Sequence, residues 1–156
     1  MRVLLIEDDA FKAKKIVSFL HQRFPGDEVS VERSVTSGLL HLVKDRPTVL
    51  LLDMSLSTYD VGPTDAGGRP QNFGGITVFE HMARRNIAVP VVVVTQFPGF
   101  KREDGEPVSL DALRKELLGK FPTLFRALLS YNPGDRQWEE ELANWIEQAV
   151  QAGEAS

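Results

Sequence analysis

The sequence predicts an α/β fold built on a doubly wound, five-stranded parallel sheet, and three observations carry that prediction. Short apolar runs such as Val3 to Ile6 and Val49 to Leu52 alternate with segments of helical periodicity, the pattern of repeated βα units. These runs are apolar at every position, as strands covered on both faces are. Two of them also stop at acid, with Glu7, Asp8 and Asp9 after the first and Asp53 after the third. In an open parallel sheet the carboxyl ends of the strands share one edge, where ligands bind near the reversal of strand order. The four carboxylates are therefore expected to converge there.

The elements follow in order. After the first strand, Ala13, Ile16, Val17, Leu20 and Phe24 recur at helical spacing until Pro25 and Gly26 end the helix, and Lys12, Lys14 and Lys15 are assigned to its charged outer face. Glu28 to Val35 alternates as a second strand, and Ser37 to Asp45 reads as a short helix bearing Leu39, Leu40 and Val43. Arg46 and Pro47 introduce the third strand, which ends at Asp53; helical spacing resumes at Ile76 with Val78, Phe79, Met82 and Ala83 before a fourth strand, Val89 to Thr95. Ser109 can cap a fourth helix carrying Leu110, Leu113, Leu117 and Phe121, which Pro122 stops. Phe125 to Tyr131 is the fifth strand, and Asp135 can cap a last helix that buries Trp138, Leu142, Trp145, Ile146 and Val150. Two irregular polar stretches, about 57–75 and 97–108, are expected as inserted loops, and loops of that length in compact domains are commonly functional.

The 156 residues, 42% hydrophobic and 26% charged, suit a single domain over 1–150, with 151–156 as a flexible tail. A net charge of -4 speaks against a general affinity for nucleic acid, whose phosphates reward a basic face. The absence of cysteine excludes disulfides and thiolate chemistry. No apolar run approaches the roughly 18 residues of a membrane span, and no signal peptide is evident, so a cytoplasmic location is expected. No glycine-rich phosphate loop follows the first strand, where acids would repel a pyrophosphate, and His21, His41 and His81 are read as surface or packing residues.

Acids closing the first strand, Asp53 closing the third, Thr95 closing the fourth and the Asn132-Pro133 pair after the fifth resemble the receiver domain of two-component response regulators. VERSVTSGLLHLVKDRPTVLLLDMSL is similar to that family's second strand, second helix and phosphoacceptor strand, and GGITVFEHM with VPVVVVTQ to its third helix and fourth strand. The resemblance covers nearly the whole chain and implies a flavodoxin-like, three-layer α/β/α architecture. It also implies a stand-alone signalling protein, not an enzyme in the ordinary sense, that accepts a phosphoryl group on Asp53 from a histidine kinase or phosphotransfer protein. Its signal would pass to a downstream protein target by contact, with homodimer formation left open.

Phosphoryl transfer to a carboxylate is mainly a matter of positioning and countercharge. Mg²⁺ supplies the charge an acidic cluster lacks, taking oxygen ligands and several waters. Asp8 and Asp53 are the expected ligands, Glu7 would hold a metal-bound water, and the resemblance adds the backbone carbonyl of Ser55. Asp9 is assigned to capping the first helix. Thr95 would donate its hydroxyl to the phosphoryl group as the family's switch residue.

The chain departs from the family at three places. Asn132 stands where receivers carry an invariant lysine, Ser57 replaces a proline after the phosphoacceptor, and Gln96 and Phe97 follow Thr95 where small residues are usual. Asn132 can still hydrogen-bond a phosphoryl oxygen but supplies no charge, and charge-assisted bonds are roughly twice as strong as neutral ones. Arg69, Lys101 and Arg102, on the two inserted loops, are the candidate replacement cations. The alternative is a receiver-like interaction module that works without phosphate.

Overall fold

The structure, a computed structural model, describes residues 1–56, 74–96 and 109–154. Ten elements alternate strictly: β1 (Arg2–Ile6), α1 (Ala10–Arg23), β2 (Glu28–Glu32), α2 (Val35–Lys44), β3 (Val49–Leu52), α3 (Gly74–Arg84), β4 (Val91–Thr95), α4 (Leu110–Lys120), β5 (Phe125–Ser130) and α5 (Gln137–Glu154). All strands are parallel, in the order β2-β1-β3-β4-β5. The expected doubly wound, five-stranded sheet is therefore present.

The central strands β1, β3 and β4 are almost wholly apolar because each pleat feeds two cores, whereas the edge strand β2, EVSVE, is only partly buried. Leu4, Ile6, Leu50, Leu52, Val91 and Val93 face α2, α3 and α4, where Leu42, Phe79 and Leu117 are fully buried. Val3, Leu5, Val49, Leu51, Val92 and Val94 face α1 and α5, meeting Ile16, Leu20, Leu142 and Ile146. Burying each such side chain contributes about 1.5–3 kcal/mol. Phe79 stacks on Phe121 with ring centroids 4.9 Å apart, and such a pair adds about 0.5–1.5 kcal/mol beyond its area.

The helix starts follow from capping. Asp9 accepts hydrogen bonds from the backbone N–H groups of Phe11 and Lys12, and Ser109 from that of Ala112. Asp135 accepts from the N–H of Gln137, at the entry to α5. Ser34 and Ser37 form a reciprocal capping box. That box corrects the second strand: β2 ends at Glu32 and Val35 begins a helix, although its β-branched side chain reads as strand. β4 starts at Val91, later than expected, because Pro90 has no N–H for the ladder and offers only its carbonyl to Leu50.

α3 begins at Gly74, inside the stretch expected as loop. A Cβ on Gly74 would lie 2.5 Å from the Leu56 carbonyl oxygen, and one on Gly75 2.7 Å from that of Asp53. These two glycines let the helix start directly against the end of β3. Residues 57–73 and 97–108, most of the two inserted loops, and 155–156 of the tail lie outside the described residues.

Candidate functional site

The strand order reverses between β1 and β3, and the register pairs Ile6 with Leu52. Glu7 and Asp53 therefore leave the sheet side by side. The Asp53 N–H donates to the Ile6 carbonyl at 3.1 Å, and the Glu7 N–H to the Glu32 carbonyl at 3.0 Å, which fixes both backbones just beyond the strand ends. Glu7, Asp8 and Asp53 each place a carboxylate oxygen within 4.8 Å of the others. Thr95, the last residue of β4, is completely buried and donates its hydroxyl to Asp53 Oδ1 at 3.3 Å.

The cluster also holds a cation. Lys12, from the first turn of α1, is only 4% exposed and lies 2.7 Å from Glu7 Oε2 and 3.3 Å from Asp53 Oδ1. Its ammonium donates to the Val94 carbonyl at 2.7 Å and sits 5.7 Å from the centroid of the Tyr131 ring. This corrects the reading of Lys12 as part of a solvated face; Lys14 and Lys15 do lie there, exposed. Lys12 precedes Ile16 by four residues and Phe19 by seven, the spacing of the buried stripe of α1, and that spacing was the available signal.

Burial pushes the Glu7 carboxyl up to about 8; the Lys12 charge pulls it down and Asp53 pushes it further up. Glu7 Oε1 accepts the Asp9 N–H at 3.2 Å. Oε2 is held in an ion pair with the Lys12 ammonium at 2.7 Å. The Asp8 carboxyl is also raised, first by burial and then by Asp53. Three carboxylates that each bring an oxygen within 4.8 Å of the others fit a hard divalent cation with bound water.

The remaining expected residues fall elsewhere. Ser55 lies in the turn leaving β3, two residues past Asp53. Asn132 is exposed in the turn after β5, its side-chain oxygen accepting the Gly134 N–H at 2.8 Å. Arg69, Lys101 and Arg102 lie outside the described residues. His41 pairs with Glu32 at 2.9 Å, away from the acids, as a packing histidine would. No helix among the described residues is long and apolar enough to cross a membrane.

Known structures decide the architecture. A signal receiver domain of Vibrio parahaemolyticus superposes with a TM-score of 0.67 at 15% identity, covering 99% of this chain and 96% of its own. A response regulator receiver domain protein of Clostridium thermocellum gives 0.64 at 18%, with 99% and 97% covered. The chain has the receiver fold. Among curated proteins, the Detocs response regulatory protein DtcB of Enterobacter cloacae is 25% identical over 149 residues, 94% of this chain and 98% of the relative. An uncharacterized protein, y4jR, of Sinorhizobium fredii is 26% identical over 146 residues, 92% and 95% of the two chains. No family model matches the sequence. In this receiver fold the acids stand at the carboxyl ends of β1 and β3, and the threonine at that of β4.

Proposed function

We propose that this receiver-fold protein accepts a phosphoryl group on Asp53, and that the phosphorylated state signals by protein contact. The observation that carries this reading is the surroundings of one oxygen. Asp53 Oδ1 meets the Thr95 hydroxyl and the Lys12 ammonium, both at 3.3 Å, within a carboxylate cluster able to take a metal. A cation and a hydroxyl aimed at the attacked group are what a transferring phosphoryl requires.

An Asp53 oxygen forms a bond to the phosphorus of a phosphohistidine or phosphoramidate, and the phosphorus–nitrogen bond breaks. The electron pair stays on nitrogen, which leaves protonated, and an acyl phosphate remains. Asp8 and Asp53, with the Ser55 carbonyl, would hold Mg²⁺, and Glu7 would reach it through a bound water. That ion supplies charge neutralisation for the phosphoryl oxygens. Thr95 donates its hydroxyl to a phosphoryl oxygen and so reports occupancy to β4. Asn132 would contribute at most a neutral hydrogen bond.

The donor is a histidine kinase or phosphotransfer protein in the cytoplasm. An open groove of about 580 Å³ between α1 and the turn leading into α5, lined in part by Phe11, Lys15, Pro133 and Trp138, supports docking against α1. Arg69, Lys101 and Arg102 remain further cations for the site if their loops fold over it, and the single domain spans 1–150.

Intact mass after incubation with Mg²⁺ and phosphoramidate tests the reading. A phosphate-sized gain is expected in the native chain and not in Asp53→Asn. Folded, metal-bound native protein that gains no mass would favour the second reading, a phosphate-independent interaction module. One observation favours that module: Lys12 already pairs with both Glu7 and Asp53, so the acids are partly neutralised without phosphate or metal.

A further inference from the structure

The placement of Lys12 runs against ordinary folding rules. It stands in the first turn of α1, where the helix dipole disfavours a cation, and it is buried, where a charge without partners is costly. Lys14 and Lys15 show the alternative, since both lie exposed on the same helix. The ammonium is instead held over the Tyr131 ring, one residue before Asn132, with contacts to Glu7, Asp53 and the Val94 carbonyl. Electron-rich groups at the carboxyl ends of β1, β3 and β4 and the Tyr131 ring thus meet one cation carried by a helix.

We propose that Lys12 is the phosphoryl-binding cation of this protein, delivered to Asp53 from α1 and not from the turn after β5. This rests on the phosphoacceptor reading of Asp53. When Asp53 carries a phosphoryl group, the ammonium exchanges its contact with Asp53 Oδ1 for a phosphoryl oxygen a bond length or two further out. The flexible four-carbon stem of lysine permits that shift, and the contact with the Val94 carbonyl, next to Thr95, passes it to β4. Position 132 is left free to carry asparagine, which holds its turn through the Gly134 N–H.

Beryllofluoride, a phosphoryl mimic that needs Mg²⁺ and the aspartate together, separates this role from a structural one. Its binding can be followed by tryptophan fluorescence, since the ring of Trp138, one of the two tryptophans, lies 5.2 Å from that of Tyr131. Lys12→Met keeps the stem and removes the charge. It is expected to keep or improve Mg²⁺ affinity, since a competing cation is gone, while beryllofluoride affinity falls roughly tenfold or more. Adding Asn132→Lys to that variant should restore most of the loss. A Lys12→Met chain that binds beryllofluoride like the native one overturns the proposal, as does a parallel loss of Mg²⁺ and beryllofluoride affinity.

If Lys12→Met does not fold, Asn132→Lys in the native background decides. A change within about threefold is expected because the cation is already present, whereas a gain above roughly tenfold would mean that the site lacked it. Should the native chain bind neither beryllofluoride nor phosphate on Asp53, the phosphoacceptor reading fails and this proposal falls with it. Native binding that is indifferent to Lys12 removes this proposal alone.

Discussion

The first turn of α1 and the turn between β5 and α5 both stand at the carboxyl edge of the sheet, and they divide the work unexpectedly. The β5–α5 turn carries Asn132, exposed and occupied with its own Gly134 N–H. The α1 turn carries Lys12, buried and in contact with Glu7 and Asp53. A receiver site needs positive charge at a point in space, and side chains from either turn can supply it. If Lys12 serves the phosphoryl group as proposed, the difference teaches that the electrostatic requirement belongs to the sheet edge and that the residue meeting it can change element.

The largest effect should come from removing the buried charge. In metal-free buffer at pH 9, where Glu7 is mostly ionised in the native fold, Lys12→Met should lower stability by about 3 kcal/mol, because one partner of a buried ion pair is gone and its acids remain. Urea midpoints at pH 5.5 should show a smaller loss, since Glu7 carries its proton there in both chains. A loss of the same size at both values would mean that Lys12 matters through packing, which would dissolve the contrast between the two turns.

Next in size is a change at the backbone under the acids. Gly75→Ala would press a methyl group onto the Asp53 carbonyl, and overpacking of this kind costs about 1–3 kcal/mol. Thermal unfolding together with beryllofluoride affinity should show both stability and site geometry disturbed. Neither should change if the glycine is only a helix-start preference.

The pH dependence is subtler. Burial holds Glu7 at about 8 in the folded protein, so between its ordinary 4.5 and that value the folded state binds more protons than the unfolded. Metal-free stability should therefore fall as pH rises through this window, and Glu7→Gln should flatten the slope. Asp8, also raised by burial, will keep some slope. Mg²⁺ affinity should rise with pH over the same range, because its ligands must lose their protons.

Smallest of all, Asn132→Ala should cost about 1 kcal/mol, the worth of one turn hydrogen bond, and leave Mg²⁺ affinity unchanged. Lys14→Ala, on the exposed face, should fall within about 0.5 kcal/mol of the native chain. Equal costs for Lys12→Met and Asn132→Ala would erase the distinction drawn between the two turns.

The sheet was legible because the apolar central strands of a doubly wound fold leave little choice of layer, and the apolar run Val49 to Leu52 is the whole of β3. The convergence of Glu7, Asp8, Asp53 and Thr95 was legible for the same reason, since each follows or ends a parallel strand. The bounds of β2 were not, because Val35 has strand chemistry while the serine capping box that claims it for α2 acts over a few residues only. Gly74 and Gly75 look like loop residues until the approach of the Asp53 carbonyl makes their lack of a side chain a packing requirement. Lys12 escaped because a lysine among lysines reads as solvated, and periodicity weighs apolar residues while passing over a cation at the same angular position. Its role depends on partners 5, 41 and 82 residues away, a relation that no local pattern contains.

The Lys12 contact with the Val94 carbonyl ties the start of α1 to the last peptide of β4 through one movable side chain. In hydrogen-exchange terms, the amides of the α1 entry and of Thr95 should open as one cooperative unit, although 82 residues separate the two ends of that bond. A phosphoryl group that draws the ammonium away would split this unit in two. The helix entry and the strand end would then exchange at different rates, so that occupancy of Asp53 is written into the local breathing of a helix that need not change its fold.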